Sequence, residues 1–190
     1  MKFVASLMFS ALLMGISAHA ASFSQCPAVG NDTDGCELLI TVTAASGGVA
    51  TAFSVTAASP DQGPYDGSDD TLLGILNKSG STLSSISLSG NTDIFGFDGD
   101  GACTFIACPG ATDPNGYAPA GVTFSGINST ATSGTVDFSP GITNGGSAWF
   151  SLEEALSPSS ITNASPEPSS ILLLGLGLAG VATGMRRKVS

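Results

Sequence analysis

Five aspartates in two glycine-rich stretches are the residues best placed to do chemistry. Asp66, Asp69 and Asp70 fall within 59–70, and Asp98 and Asp100 alternate with Gly99 and Gly101. Calcium takes about six to eight oxygen ligands, many of them carboxylates and carbonyls on loops, so one reading is a calcium site shared between the two stretches. The other is that Asp and Gly are good turn formers, the Asp side chain bonding to backbone two residues on. Both stay open at the level of sequence. An EF-hand is excluded: with Asp98 and Asp100 at its third and fifth positions, the first falls on Gly96 and the twelfth on Ala107, and neither brings a side-chain oxygen. Asn31-Asp32-Thr33-Asp34-Gly35 reads as a turn.

Other chemistries find less support. Two carboxylates can hydrolyse glycosides, but nothing singles out one pair for a small hydrolase. The single histidine, His19, lies in the apolar N-terminal leader, so a Ser-His-Asp triad is not available to the rest of the chain. Lys78 sits in no nucleophile motif, and there is no phosphate-binding glycine loop and no basic aromatic strip. Trp149, Tyr65 and Tyr117 could stack on sugars, although Trp149 beside Phe150 in an apparent strand reads rather as core. No catalytic residue is expected.

The cysteines number four, Cys26, Cys36, Cys103 and Cys108. An even count in an oxidising compartment favours disulfides. Three connectivities are possible, and the local pairs Cys26–Cys36 and Cys103–Cys108 are favoured because each brackets a Gly/Asp/Pro loop. Zinc has neither a histidine nor a Cys-x-x-Cys spacing to work with.

The elements that position these residues read as strands. Runs at 37–43, 49–56, 71–77, 82–88, 94–97, 104–107, 122–127, 135–138 and 148–152 are short and carry apolar residues, with glycine-rich turns between them, and 37–43 is rich in Leu, Ile, Val and Thr. They predict one all-β domain over 21–157, an immunoglobulin-like β-sandwich. A short helix is expected near 152–156, and a polar, proline-containing linker over 158–165. All fifteen acidic residues except Glu167 lie in 21–165, against Lys78 as the one cation there, giving this region a formal charge of −13. Such a surface repels nucleic acid and anionic lipid, and suits divalent cations.

The two ends carry addresses. Lys2 precedes an apolar run at 3–16, and Ala18-His19-Ala20 gives the small-x-small pattern that signal peptidase cleaves, so 1–20 is expected to be a signal peptide. At the other end, Pro166-Glu167-Pro168 is followed by an apolar, glycine-punctuated run at 171–185 and by Arg186-Arg187-Lys188. Fifteen residues make a helix of about 22 Å, short for a bilayer core of about 30 Å. Snorkelling basic side chains extend it, and the basic flank stays cytoplasmic. A single transmembrane helix is therefore expected at 171–185.

That three-part tail, 166–188, resembles the PEP-CTERM sorting signal of Gram-negative envelope proteins, which also goes under an ice-binding C-terminal name that implies nothing about ice here. The resemblance implies an exported cargo protein, processed near Pro166-Glu167-Pro168 by a membrane-embedded exosortase-like protease and delivered through the inner membrane to the cell surface or extracellular matrix. Segments 63–71, 95–101 and 146–156 also resemble pieces of other PEP-CTERM cargo proteins, a likeness that carries no activity. The expected function is that of a non-catalytic surface or matrix protein. The runner-up is a calcium-dependent module binding the organism's exopolysaccharide.

Overall fold

The computed structural model describes residues 22–164. Ala18 and Ala20 of the leader, the Pro166-Glu167-Pro168 motif, the expected membrane helix at 171–185 and the Arg186-Arg187-Lys188 flank all lie outside the described residues. Within them, no helix is long and apolar enough to cross a membrane.

The β-branched and apolar runs form strands β1 (Leu38–Ser46), β2 (Val49–Ala57), β3 (Thr71–Asn77) and β4 (Leu83–Ser89). A single helical turn, α1 (Ala102–Phe105), precedes β5 (Val122–Ser125), β6 (Ser133–Ile142), β7 (Ser147–Leu152) and β8 (Thr162–Asn163). Gly47 and Gly48, at φ 59° and 85°, make the β1–β2 turn. Two successive left-handed residues are what a two-residue hairpin needs to match the strand twist.

All the strands belong to one hydrogen-bonded sheet in the order β5-β6-β4-β2-β1-β3-β7, with β8 laid against β4. The all-β expectation holds. The hydrogen bonds do not divide the strands into the two sheets of an immunoglobulin-like sandwich. They run on through a narrow join between β2 and β4, a single Val49–Ser85 pair supplemented by the Ser84 and Ser85 N–H groups donating to the Gly48 carbonyl. The sheet curls until its terminal strands face each other, with Phe124 of β5 edge-on to Phe150 of β7 at 6.2 Å between ring centroids.

Alternation sorts side chains to two sides of this sheet. Leu38, Ile40 and Val42 of β1, Leu73 and Ile75 of β3 and Phe150 of β7 enter the main core. On the outer side, Leu72 meets Cys26, Val29, Cys36, Tyr65 and Ala102 in a second cluster. The 22–37 segment and α1 thus cover the outer face of β3 and β7, and β3 is buried on both sides. Both expected disulfides are formed, Cys26–Cys36 and Cys103–Cys108, one in each covering segment.

Four expected segments differ. Ile94 and Phe95 are buried but sit in a loop, and 104–107 contributes to α1 and the turn after it instead of a strand. Short apolar runs report burial without reporting backbone conformation. The helix expected at 152–156 is absent; Thr71 Oγ1 donates to the Glu154 carbonyl and accepts from the Leu156 N–H, pinning an irregular turn. Part of the expected linker is folded: Ile161 is buried, and β8 pairs Thr162 and Asn163 with Ser89 and Leu88.

Candidate functional site: an acidic centre at the end of the β3–β7 pair

Strand register sets out the centre. Thr71 of β3 pairs with Leu152 of β7, so Asp70 and Glu153 leave the same end of the sheet side by side. The loop before Asp70 is built by Asp66, whose Oδ1 accepts from the N–H groups of Ser68, Asp69 and Asp70. The 98–101 loop is brought in by Gly101. A Cβ there would lie 2.3 Å from the Gly116 carbonyl carbon and the Tyr117 nitrogen, so only glycine lets the two backbones approach this closely. Asp113 fixes the other side of that contact, its Oδ2 accepting from Tyr117 N–H at 2.7 Å and Ala118 N–H at 3.0 Å.

Four of the five aspartates converge on a residue that sequence reasoning did not select. Carboxylate oxygens of Asp69, Asp70 and Glu153 lie within 4.8 Å of one another, as do those of Asp98, Asp100 and Glu153. The fifth, Asp66, spends an oxygen on its own loop and is a turn former. The one sequence signal for Glu153 is its place in the 146–156 segment; what brings it here is the β3–β7 register, a pairing of residues some eighty positions apart that sequence does not show.

Two tyrosines stand at the middle. The Tyr117 hydroxyl lies 2.6 Å from Glu153 Oε2, 2.7 Å from Asp100 Oδ1, 3.3 Å from Asp98 Oδ1 and 3.4 Å from Asp70 Oδ1. It has one proton to give to these carboxylates. Tyr65 donates to Asp70 Oδ2 at 2.6 Å. Its hydroxyl also lies 3.4 Å from Ser151 Oγ, which in turn accepts from the Ala102 N–H. Both rings are buried, Tyr117 stacked on Phe97 and Tyr65 edge-on to Phe105. Neither is the exposed sugar platform that its turn-rich surroundings suggested. Trp149 is half-buried and lines an open groove of about 540 Å³ together with Gln25, Ile106 and Pro119.

The electrostatics are those of crowded acids. Burial, followed by the Glu153, Asp100 and Asp66 charges, pushes Asp70 up to about 8 against the opposing Tyr65 hydrogen bond. Glu153 is raised chiefly by burial and then by the Asp98, Asp100 and Asp69 charges. Asp98 and Asp100 share a hydrogen bond that raises Asp98 and lowers Asp100. Desolvation and these neighbours keep both tyrosine hydroxyls protonated. Lys78 is the sole cationic side chain among the described residues, on the turn after β3 and remote from this end. An all-oxygen cluster on loops with no protein counter-charge fits a hard divalent cation such as calcium.

Comparison with known proteins gives one finding. No curated protein and no solved structure matches the chain. Residues 166–188 match the family model of the PEP-CTERM protein-sorting motif, and the chain is accordingly an exported, membrane-transiting protein that carries an exosortase sorting signal.

Proposed function

We propose that this is a non-catalytic cell-surface or extracellular-matrix protein, released to its destination by an exosortase-like protease acting near Pro166-Glu167-Pro168. The observation that carries this reading is the sorting motif at 166–188. Support comes from the acidic, cation-poor composition of 21–165 and from the absence of any histidine there. Signal peptidase would remove 1–20, and the 171–185 run would hold the chain in the inner membrane during transit. Replacing Pro166, Glu167 and Pro168 with alanine leaves that run intact and is expected to trap the protein in the inner membrane. Fractionation with intact-mass analysis checks this; surface delivery of the variant with its tail uncut would overturn it.

A second reading, a calcium-dependent exopolysaccharide-binding module, is favoured by the convergence of Asp69, Asp70, Asp98 and Asp100 on Glu153. Calcium would replace the mutual repulsion of these groups with attraction, stabilising the fold by about 2.7 kcal/mol at a hundred times its dissociation constant. The expected result is a calcium-specific rise in Tm that magnesium does not reproduce and that Asp98→Ala with Asp100→Ala abolishes. Coincident unfolding curves in calcium and in chelator would leave these aspartates as turn formers. For the polysaccharide, Trp149 in its groove is the aromatic surface on offer, and Trp149→Ala is expected to weaken binding to the purified polymer.

A further inference from the structure

Gly74 of β3 pairs with Trp149 of β7. Their neighbours Leu73 and Phe150 enter the main core, so alternation puts both positions on the outer side of the sheet, where Trp149 packs against the second cluster. Gly74 has no side chain, and Gln25 uses the space: a Cβ on Gly74 would lie 3.0 Å from Gln25 Cβ and 2.4 Å from Cys36 Sγ. An amide is thereby seated next to the indole. Its Oε1 is buried without any hydrogen-bond partner. Buried polar groups are almost always paired, so an idle acceptor in the wall of an open groove needs an explanation.

The groove, about 540 Å³, falls within the roughly 300–1,000 Å³ of small-molecule sites. Its walls are set in advance. Cys26 and Cys108 both line it, each held by its own disulfide, and Pro27, Pro109 and Pro119 stiffen the backbone around it. Every described residue that lines it is uncharged, in a region of formal charge −13. An anionic ligand meets no counter-charge here and is repelled by the surrounding acids. A proline-rich peptide docks against aromatic-lined grooves, and here a single indole is present. One aromatic face, apolar rims and an amide with unspent hydrogen-bonding capacity suit a neutral ligand with an apolar face and a hydroxyl edge.

We propose that this groove binds an uncharged oligosaccharide segment, with a sugar ring stacked on Trp149 and its hydroxyls on the Gln25 amide. The amide turns toward the sugar on binding, and Oε1 gains the partner it lacks in the free protein. This rests on the polysaccharide part of the second reading above and not on its calcium part, since the groove offers no carboxylate.

Trp149 is the one tryptophan of the chain, so intrinsic indole emission reads the groove directly. The full chain, in a detergent without a sugar headgroup, is titrated with neutral gluco-, manno-, galacto- and xylo-oligosaccharides, with alginate oligomers and with a polyproline peptide. At least one neutral series is expected to shift the emission saturably, in calcium and in chelator alike, while alginate and polyproline do not. Gln25→Ala is expected to weaken that binding by about tenfold. It should leave Tm unchanged or raised, because it removes the idle acceptor and keeps the Cβ beside Gly74. Silence toward every neutral series, a shift with alginate or polyproline alone, or wild-type affinity in Gln25→Ala overturns the proposal. Affinity electrophoresis through the purified exopolysaccharide separates the two claims. Retardation with Trp149 silent overturns the groove and leaves the polysaccharide reading standing, whereas a neutral-sugar shift without retardation overturns that reading and supports the groove.

Discussion

Gly101 decides whether the acidic centre exists. With backbone atoms of Gly116 and Tyr117 only 2.3 Å from where its Cβ would be, a methyl group forces the 98–101 loop away from Tyr117 and takes Asp100 off the tyrosine hydroxyl. Overpacking of this kind costs about 1–3 kcal/mol, so Gly101→Ala is expected to lower stability by that much in chemical denaturation and to abolish any calcium-induced rise in Tm. Among the acids, sequence spacing identified the two loops and could not rank their members. Asp66 and Asp70 both looked like ligands, yet Asp66 is occupied with three backbone N–H groups while Asp70 is buried beside Tyr65 and Tyr117. Local sequence does not say which way a loop carboxylate turns, because that depends on what packs behind it.

Among the elements, the covering segments on the outer face of β3 and β7 carry the closest test. The Cys26–Cys36 bridge closes a loop of ten residues, for which chain entropy gives about 3 kcal/mol. Cys26→Ser with Cys36→Ser is expected to reduce unfolding free energy by about 2–3 kcal/mol, and limited proteolysis should then cut first within 22–36. These pairings were legible because each bridge is local. Strands β2 to β4 were also legible within a residue, and β1 to within three at its far end, since apolar runs ended at glycine and polar turns. The turn after β3 is a case in point. Asn77, buried, donates to the Ser81 and Ile142 carbonyls and accepts from Ser79 N–H. The β3–β7 neighbourhood was not legible, and with it went Glu153, because register between distant strands is fixed by the whole core and not by either segment. Residues 94–97 and 104–107 were misread for the related reason that burial without a strand partner looks the same in sequence.

For the molecule as a whole, the burial of acids, reinforced by their acidic neighbours, makes stability depend on pH in the sense opposite to that of paired surface carboxylates. Asp32, Asp70 and Glu37 have folded-state values of about 7, 8 and 8 against ordinary values of 3.8, 3.8 and 4.5. Between roughly pH 4 and 8 the folded state therefore holds more protons than the unfolded chain, and stability falls as pH rises. Tm in chelator is expected to decline from pH 5 to pH 8, and saturating calcium should flatten that decline because the ion favours the charged carboxylates. A Tm in chelator that rose over this range would contradict the burial of these acids.

The short strand β8 has a mechanical consequence. Its two residue pairs and the Ala164 N–H bond to the Ser87 carbonyl keep the chain stitched to β4 until two residues before Pro166. At most about 7 Å of extended backbone separates the two. Peeling β8 and Ile161 away releases residues 158–164, roughly 23 Å of slack. The last strand of the sheet is thus a catch on the leash by which the domain is held to its sorting tail, and the reach of that tail depends on how readily the catch opens.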